Sequence, residues 1–221
     1  MNLARHNHSQ LNKCLESCLA EFKQINHYWD EQRQSVIAKI LPGEFYMTKG
    51  RVTIATTLGS CISACIWDSK LGIGGMNHFM LPMTDKAVHE VDWAQRGIAS
   101  DATRYGNFAM EHLINLILKH GGQRRYLKAK IFGGSKVFHQ MSNVGEKNIM
   151  FVKNYLAMEN ITLVDADIGS VYPRKVIFEP FSGRAFVKKL DSLHNDTISR
   201  RESDYGYKIE RNNVEGDIEL F

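Results

Sequence analysis

Between Gln10 and Ile25 the apolar residues Leu11, Cys14, Leu15, Cys18, Leu19, Phe22 and Ile25 recur every three or four positions, the spacing of an amphipathic helix. That helical reading is carried over the whole stretch from Gln10 to Ile40, until Pro42-Gly43 punctuates the chain. Beyond it the period changes. Short apolar and β-branched runs at 51–57, 61–67 and 73–80, separated by glycines and by Asp68-Ser69-Lys70, predict three strands. From Arg104 to His120 the apolar residues Phe108, Met110, Leu113, Ile114, Ile117 and Leu118 share one broad face. Asp101 or Thr103 is available as N-cap and Gly121-Gly122 as the stop, so a helix is expected.

A strand at Leu127–Phe132, a break at Gly133-Gly134 and a second helix over Glu146–Met158, with Ile149, Val152 and Leu156 in register, come next. Strands at 161–165, 175–178 and 184–188 complete the ordered pattern, with turns at Gly169 and at Ser182-Gly183. Strands gather in runs on either side of two helices instead of alternating with them, which favours an α+β fold over a doubly wound sheet. Three regions follow: an N-terminal amphipathic helical extension over 1–42, a main domain over 43–190, and a polar tail over 191–221 with few apolar anchors.

Composition narrows the class. At 221 residues and 43% hydrophobic content the chain buries one sizeable core. Its formal charge of +4 is spread without the Lys/Arg stripe of a nucleic-acid binder, and its glycine pairs lack the Lys and Ser/Thr of a phosphate loop, so no nucleic acid is expected as partner. The first ten residues carry no apolar signal core and no run approaches the roughly 18 apolar residues of a membrane span, so a cytoplasmic location without membrane insertion is expected. Four cysteines are too few for a disulfide scaffold, and Cys61 and Cys65 on one strand would be about 13 Å apart, which leaves Cys61 a thiol.

The candidate chemistry lies in Thr56-Thr57-Leu58-Gly59-Ser60-Cys61 and in Gly72-Ile73-Gly74-Gly75-Met76-Asn77-His78. If residues 68–71 form the loop of an antiparallel hairpin, Trp67 faces Gly72 and counting outward puts Cys61 opposite His78. Opposed residues have Cβ atoms about 4.5–5.5 Å apart on one face, the separation a Cys–His pair needs, whereas a slip of one residue would send them to opposite faces. An adjacent imidazole can take the proton of a thiol that is otherwise mostly neutral and leave a nucleophilic thiolate. Gly59 and Ser60 allow a sharp turn whose amides can face an oxyanion, and a hydroxyl from Thr56 or Thr57 is in reach to orient the imidazole. No second Cys or His lies at ligand spacing beside the pair, so neither a metal nor a cofactor is expected. His89, Glu90 and Asp92 read as a solvated loop cluster.

At these residues the chain resembles the CheD family of chemoreceptor glutamine deamidases. The likeness runs through TTLGSC (56–61), GIGGMNHFMLP (72–82), RYGNFAMEHLINL (104–116), KIFGG (130–134), GEKNIMFV (145–152) and Pro173-Arg174-Lys175-Val176, in the family's order over roughly two thirds of the chain. The resemblance implies a β-sandwich-like core flanked by helices, related to the catalytic domains of bacterial deamidating toxins. It implies Cys61 as nucleophile, His78 as general base and then acid, and Thr56, at the first position of T-x-L-G-S-C, as the orienting third member, with Thr57 the alternative. The substrates it implies are methyl-accepting chemoreceptor proteins, with a chemotaxis phosphatase as a further partner; a non-catalytic adaptor binding the same proteins is the competing reading. Ser135 stands where the family usually has alanine after its glycine pair, and Gly169-Ser170 where two glycines are common. Neither the N-terminal stretch nor the tail is covered by the resemblance.

Overall fold

The computed structural model describes residues 9, 11–16, 18–81, 101–136, 143–190 and 195–211. Among the described residues ten strands form two five-stranded sheets. In chain order they are β1 (Asn26–Asp30), β2 (Ser35–Lys39), β3 (Phe45–Thr48), β4 (Thr53–Leu58), β5 (Ile62–Asp68), β6 (Gly74–Asn77), β7 (Leu127–Gly133), β8 (Thr162–Ile168), β9 (Arg174–Glu179) and β10 (Arg184–Lys189). The first sheet has the order β1-β2-β4-β9-β10 and the second β3-β6-β5-β7-β8. Pairing is antiparallel except between β2 and β4 and between β7 and β8. The long helices among the described residues are α1 (Asp101–Lys119), α2 (Val144–Met158) and α3 (Asn195–Arg211).

The alternation of each strand assigns its faces. On β4, Ile54 and Leu58 join the main core while Ala55 lies in a small cluster with Ile37 and Ile177 on the other side of the first sheet. The same division holds on β9, where Val176 and Phe178 point inward, and Trp67 of β5 meets the Phe178 ring with centroids 5.7 Å apart. The second sheet is covered at its centre, though not at its edge strand β8, since Met110, Leu113, Ile114 and Ile117 of α1 and Val152 and Leu156 of α2 belong to the same core as Ala64, Ile66, Ala129 and Ile131. Each of the fully buried Val, Leu, Ile and Met side chains contributes about 1.5–3 kcal/mol. Gly75 is required where α1 lies on β6, because a Cβ there would come within 2.6 Å of Leu113.

The α+β sandwich with helices on one sheet agrees with the expected fold class. Three expectations are corrected. The helix expected over 10–40 is confined to its beginning: residues 11–16 are helical and Ala20–Phe22 make a 3-10 turn, but 26–39 form β1 and β2 of the first sheet. The three-four spacing fails after Trp29, where Gln32 and Arg33 stand at the next positions, and Tyr28, Trp29, Val36 and Ile37 are aromatic or β-branched residues that suit a pleated surface. The loose tail expected from 191 contains α3, whose Ile198, Glu202 and Gly206 are buried. On α1, Phe108 is 64% exposed and meets His112 edge-on instead of entering the core. The sequence pattern also passed over β3.

The β5–β6 hairpin is displaced from its expected register. Asp68 stays in the strand, its N–H bonded to Ile73 O and its Oδ1 accepting from the N–H groups of Lys70 and Leu71, so the turn is 69–72 and Trp67 pairs with Gly74. Gly72 closes that turn at φ +69°, where a side chain would be strained. The same register carries on to a bridge between Ile62 and Phe79. Cys61 and His78 are therefore offset by two residues and not directly opposite; an even shift leaves them on one face.

Candidate functional site

The site forms where the chain crosses from one sheet to the other. Thr56 is on β4 of the first sheet, Cys61 immediately precedes β5 of the second, and His78 immediately follows β6 beside it. The crossing is the turn Gly59-Ser60. All three side chains are buried, Cys61 wholly so. The structure thus brings Cys61, His78 and Thr56 together, while Thr57, pointing the other way along the same strand, is only half-buried and leaves the imidazole to Thr56.

Hydrogen bonding assigns the imidazole's tautomer. Thr56 Oγ1 lies 2.9 Å from Ile40 O and 2.7 Å from His78 Nδ1. A carbonyl can only accept, so the one hydroxyl proton goes to Ile40 and Thr56 Oγ1 must accept from His78 Nδ1–H. The neutral ring therefore carries its proton on Nδ1 and leaves Nε2 as a bare acceptor, and Nε2 has no partner among the described residues. The backbone of His78 is held at the same time by Glu44 O, which accepts from His78 N–H, and by Gly43 N–H, which donates to His78 O.

The turn at 59–61 is held from behind. Gly59 O accepts from Ser135 N–H at 2.7 Å, Ser60 O from the Asn148 side-chain amide at 2.9 Å, and Cys61 O from Gly134 N–H at 2.7 Å. With its carbonyls engaged on one side, the turn directs its three N–H groups to the other, where they converge on the carboxylate of Glu202 from α3. Gly59 N–H and Ser60 N–H reach it at 2.7 Å, Cys61 N–H at 3.3 Å, and Ser60 Oγ donates at 2.7 Å. Successive amides aimed at one point make an anion-binding concavity, the arrangement needed to hold an oxyanion. Gly133, at φ +110°, cannot be replaced without a shift of the backbone, because a Cβ there would lie 2.2 Å from Cys61 O.

The buried site favours neutral groups. Burial, then the Glu202 charge and its hydrogen bond, push the Cys61 thiol well above its ordinary range. Burial, followed by the repulsion of Arg201, lowers His78 to about 3. Proton transfer from thiol to imidazole is thus disfavoured while the carboxylate sits over the pair. Cys61, His78 and Glu202 also present three ligand atoms within 4.8 Å of one another, a donor set of the type that suits zinc. Both Glu202 oxygens are, however, already occupied by N–H and O–H donors.

Glu202 and Asn148 carry much of this geometry and neither was singled out by sequence reasoning. Asn148 is buried within α2 and also accepts from Leu81 N–H at 2.9 Å, tying the Cys61 turn to the chain beyond His78. A polar residue on the buried face of an amphipathic helix was the available signal, as it falls three and four positions before Phe151 and Val152 in an otherwise apolar stripe. For Glu202 no local signal existed. The two departures in the glycine-rich loops are accommodated: Ser135 Oγ donates to Tyr172 O and accepts from buried Arg174, while Gly169 and Ser170 both adopt positive φ, at +72° and +71°. His89, Glu90 and Asp92 lie outside the described residues. No helix among the described residues is long and apolar enough to cross a membrane, which says nothing of spanning strands.

Comparison with known proteins gives a consistent answer. Residues 80–189 match the family model described as CheD chemotactic sensory transduction. A protein of Halorhodospira halophila named "Probable chemoreceptor glutamine deamidase CheD" is 50% identical over 204 residues, which cover 92% of this chain and 93% of its own. Proteins of the same name from Hahella chejuensis and Thiobacillus denitrificans are 46% and 45% identical, over 90% and 94% of this chain and 92% and 100% of theirs. With identity at this level along nearly the whole length, the chain belongs to the CheD family.

Proposed function

We propose that this protein is a cysteine-dependent protein-glutamine deamidase that converts glutamine side chains of methyl-accepting chemoreceptors to glutamate, acting in the cytoplasm. The observation that carries the reading is the convergence of the Gly59, Ser60 and Cys61 amides on one carboxylate, the Gly59 and Cys61 amides on the same oxygen of it, beside a thiol and an imidazole whose Nε2 is bare. In this reaction His78 Nε2 takes the proton of Cys61 Sγ, and the thiolate attacks the carboxamide carbon of the substrate glutamine. The three amides hold the oxyanion, and the C–N bond breaks as His78 returns the proton to departing ammonia. Water then adds to the thioester, deprotonated by the same imidazole, and releases glutamate with the thiol restored. Thr56, which accepts from Nδ1–H, holds the ring in the tautomer that this sequence requires.

Incubation of a receptor fragment with wild type and with Cys61→Ala, read as ammonia release and as a gain of about one dalton at each converted glutamine, tests the reading. Cys61→Ala is expected to release none. His78→Ala is expected to lose about 10²–10⁴-fold, the usual range for a general acid–base residue. Conversion at the wild-type rate by Cys61→Ala would overturn the mechanism, and receptor binding without any mass change would favour an adaptor.

A further inference from the structure

The group that fills the site is the chain's own Glu202, and the proposed function does not use it. Its carboxylate is bound by all three turn amides and by Ser60 Oγ, 1% exposed, with the Cys61 sulfur and a His78 ring nitrogen within 4.8 Å. A glutamate side chain whose carboxylate occupies the oxyanion position beside the nucleophile has the chemical form of the product of glutamine deamidation. It is presented from the middle of a helix, Asn195–Arg211, and not from a loop.

The helix is built to dock on this site and on little else. Its buried or half-buried positions, Ile198, Glu202, Ser203, Tyr205, Gly206 and Ile209, lie on one side of the helix, while Arg200, Arg201, Asp204, Tyr207 and Lys208 are exposed. Tyr205 packs on Gly43, where an added Cβ would come 2.8 Å from its ring, and its hydroxyl bonds that of Tyr105 on α1. Apart from Ile198, Tyr205 and half-buried Ile209 this side offers little apolar area, so the carboxylate's four hydrogen bonds do much to seat the helix. Leu190 and residues 191–194, the latter outside the described part, separate it from β10 in sequence.

We propose that α3 is a product mimic held in cis: Glu202 occupies the acyl site, so that the helix blocks the thiol until a receptor helix carrying glutamine displaces it. The inference rests on the deamidase reading and adds its regulation. In this closed state the site is shut to solvent and its thiol is kept neutral; departure of α3 removes a negative charge from beside Cys61 and exposes the nucleophile. Glutamate fits the cradle better than glutamine, because the amide NH2 of glutamine would confront an N–H donor where Glu202 accepts.

The test turns the mimic into a substrate. In full-length Glu202→Gln, Cys61 Sγ bonds to the side-chain carbonyl carbon, ammonia leaves with the proton carried by His78, and water cleaves the thioester. The substituted side chain then returns to glutamate with the consumption of one water. Peptide mass spectrometry is expected to find residue 202 about one dalton heavier than glutamine, at a rate independent of protein concentration. The double variant Glu202→Gln, Cys61→Ala is expected to keep its glutamine.

A full-length Glu202→Ala protein supplies the second arm. Its kcat/KM on a receptor fragment is expected to rise about tenfold, the factor by which a helix docked nine-tenths of the time withholds the site, and Cys61 alkylation by iodoacetamide is expected to accelerate alongside. If position 202 of the Glu202→Gln protein stays glutamine while that protein still deamidates receptor, the product mimic is overturned and the deamidase reading stands. If it stays glutamine in a folded protein inactive on receptor, while wild type is inactive as well, both are overturned. Unchanged or reduced alkylation and turnover in Glu202→Ala overturn the blocking role.

Discussion

At the scale of single residues the site depends on hydrogen bonds whose direction is forced. Thr56 has one proton and gives it to Ile40 O, so His78 has no choice of tautomer. Thr56→Val should therefore lower kcat about 10²-fold through loss of ring orientation, the penalty typical of a small misplacement of a reacting group, whereas Thr56→Ser should restore most of it; steady-state kinetics of the two variants on a receptor fragment checks this. Equal activity of the Val and wild-type proteins would show that the ring is oriented by something else. Titration supplies a second residue-scale expectation. His78 binds its proton in the folded state only near pH 3 but near 6.5 when unfolded. Between those values the unfolded chain binds more protons, so His78 lowers stability as pH falls from 6.5, by up to about 1.4 kcal/mol per pH unit. The Cys61 thiol acts at the other end, because its folded pKa lies above the ordinary 9.0 and stability falls as pH rises past that value. Urea midpoints measured against pH should fall on both sides, and the acid slope should diminish in His78→Phe.

Among elements, the turn between β4 and β5 is shaped by partners distant in sequence. Ser135 and Gly134 after β7 and Asn148 in α2 each bond one of its carbonyls, which is why its amides point together. Asn148→Leu would leave the Ser60 carbonyl and the Leu81 N–H unpaired in the interior, each costing about 1–3 kcal/mol. The variant should consequently unfold at lower urea and lose turnover more than its residual folded fraction accounts for. Full activity per folded molecule would mean that the amides stay aligned without Asn148. The β5–β6 hairpin illustrates a different dependence. Its two strands were legible from their β-branched and apolar runs, but the register was not, because Asp68 closes the turn with its own carboxylate and moves it one residue along the chain. Since a register shift by two preserves the face, the Cys61–His78 pairing survives an error in the count.

For the whole molecule, the sandwich places an imidazole at the boundary of one sheet against a threonine of the other, with a thiol close by, and α3 closes the site. The period of apolar residues determined β4 to β10 and both α1 and α2 to within a few residues, because burial of one face forces the matching periodicity on the chain. The same logic, extended past Ile25, wrongly made a helix of β1 and β2, where aromatic and β-branched side chains prefer the pleated edge of a sheet. By itself the sequence determined the fold class, the family and the segments that hold Cys61, His78 and two candidate threonines, since each follows from local pattern or contiguous motif. Only the tertiary structure decided which threonine meets the imidazole, that Asn148 aligns the turn, and that Glu202 enters the site from a segment of low apolar content. A carboxylate bound by backbone amides leaves no trace in hydrophobic periodicity, because its partners are the same atoms at every position of every chain.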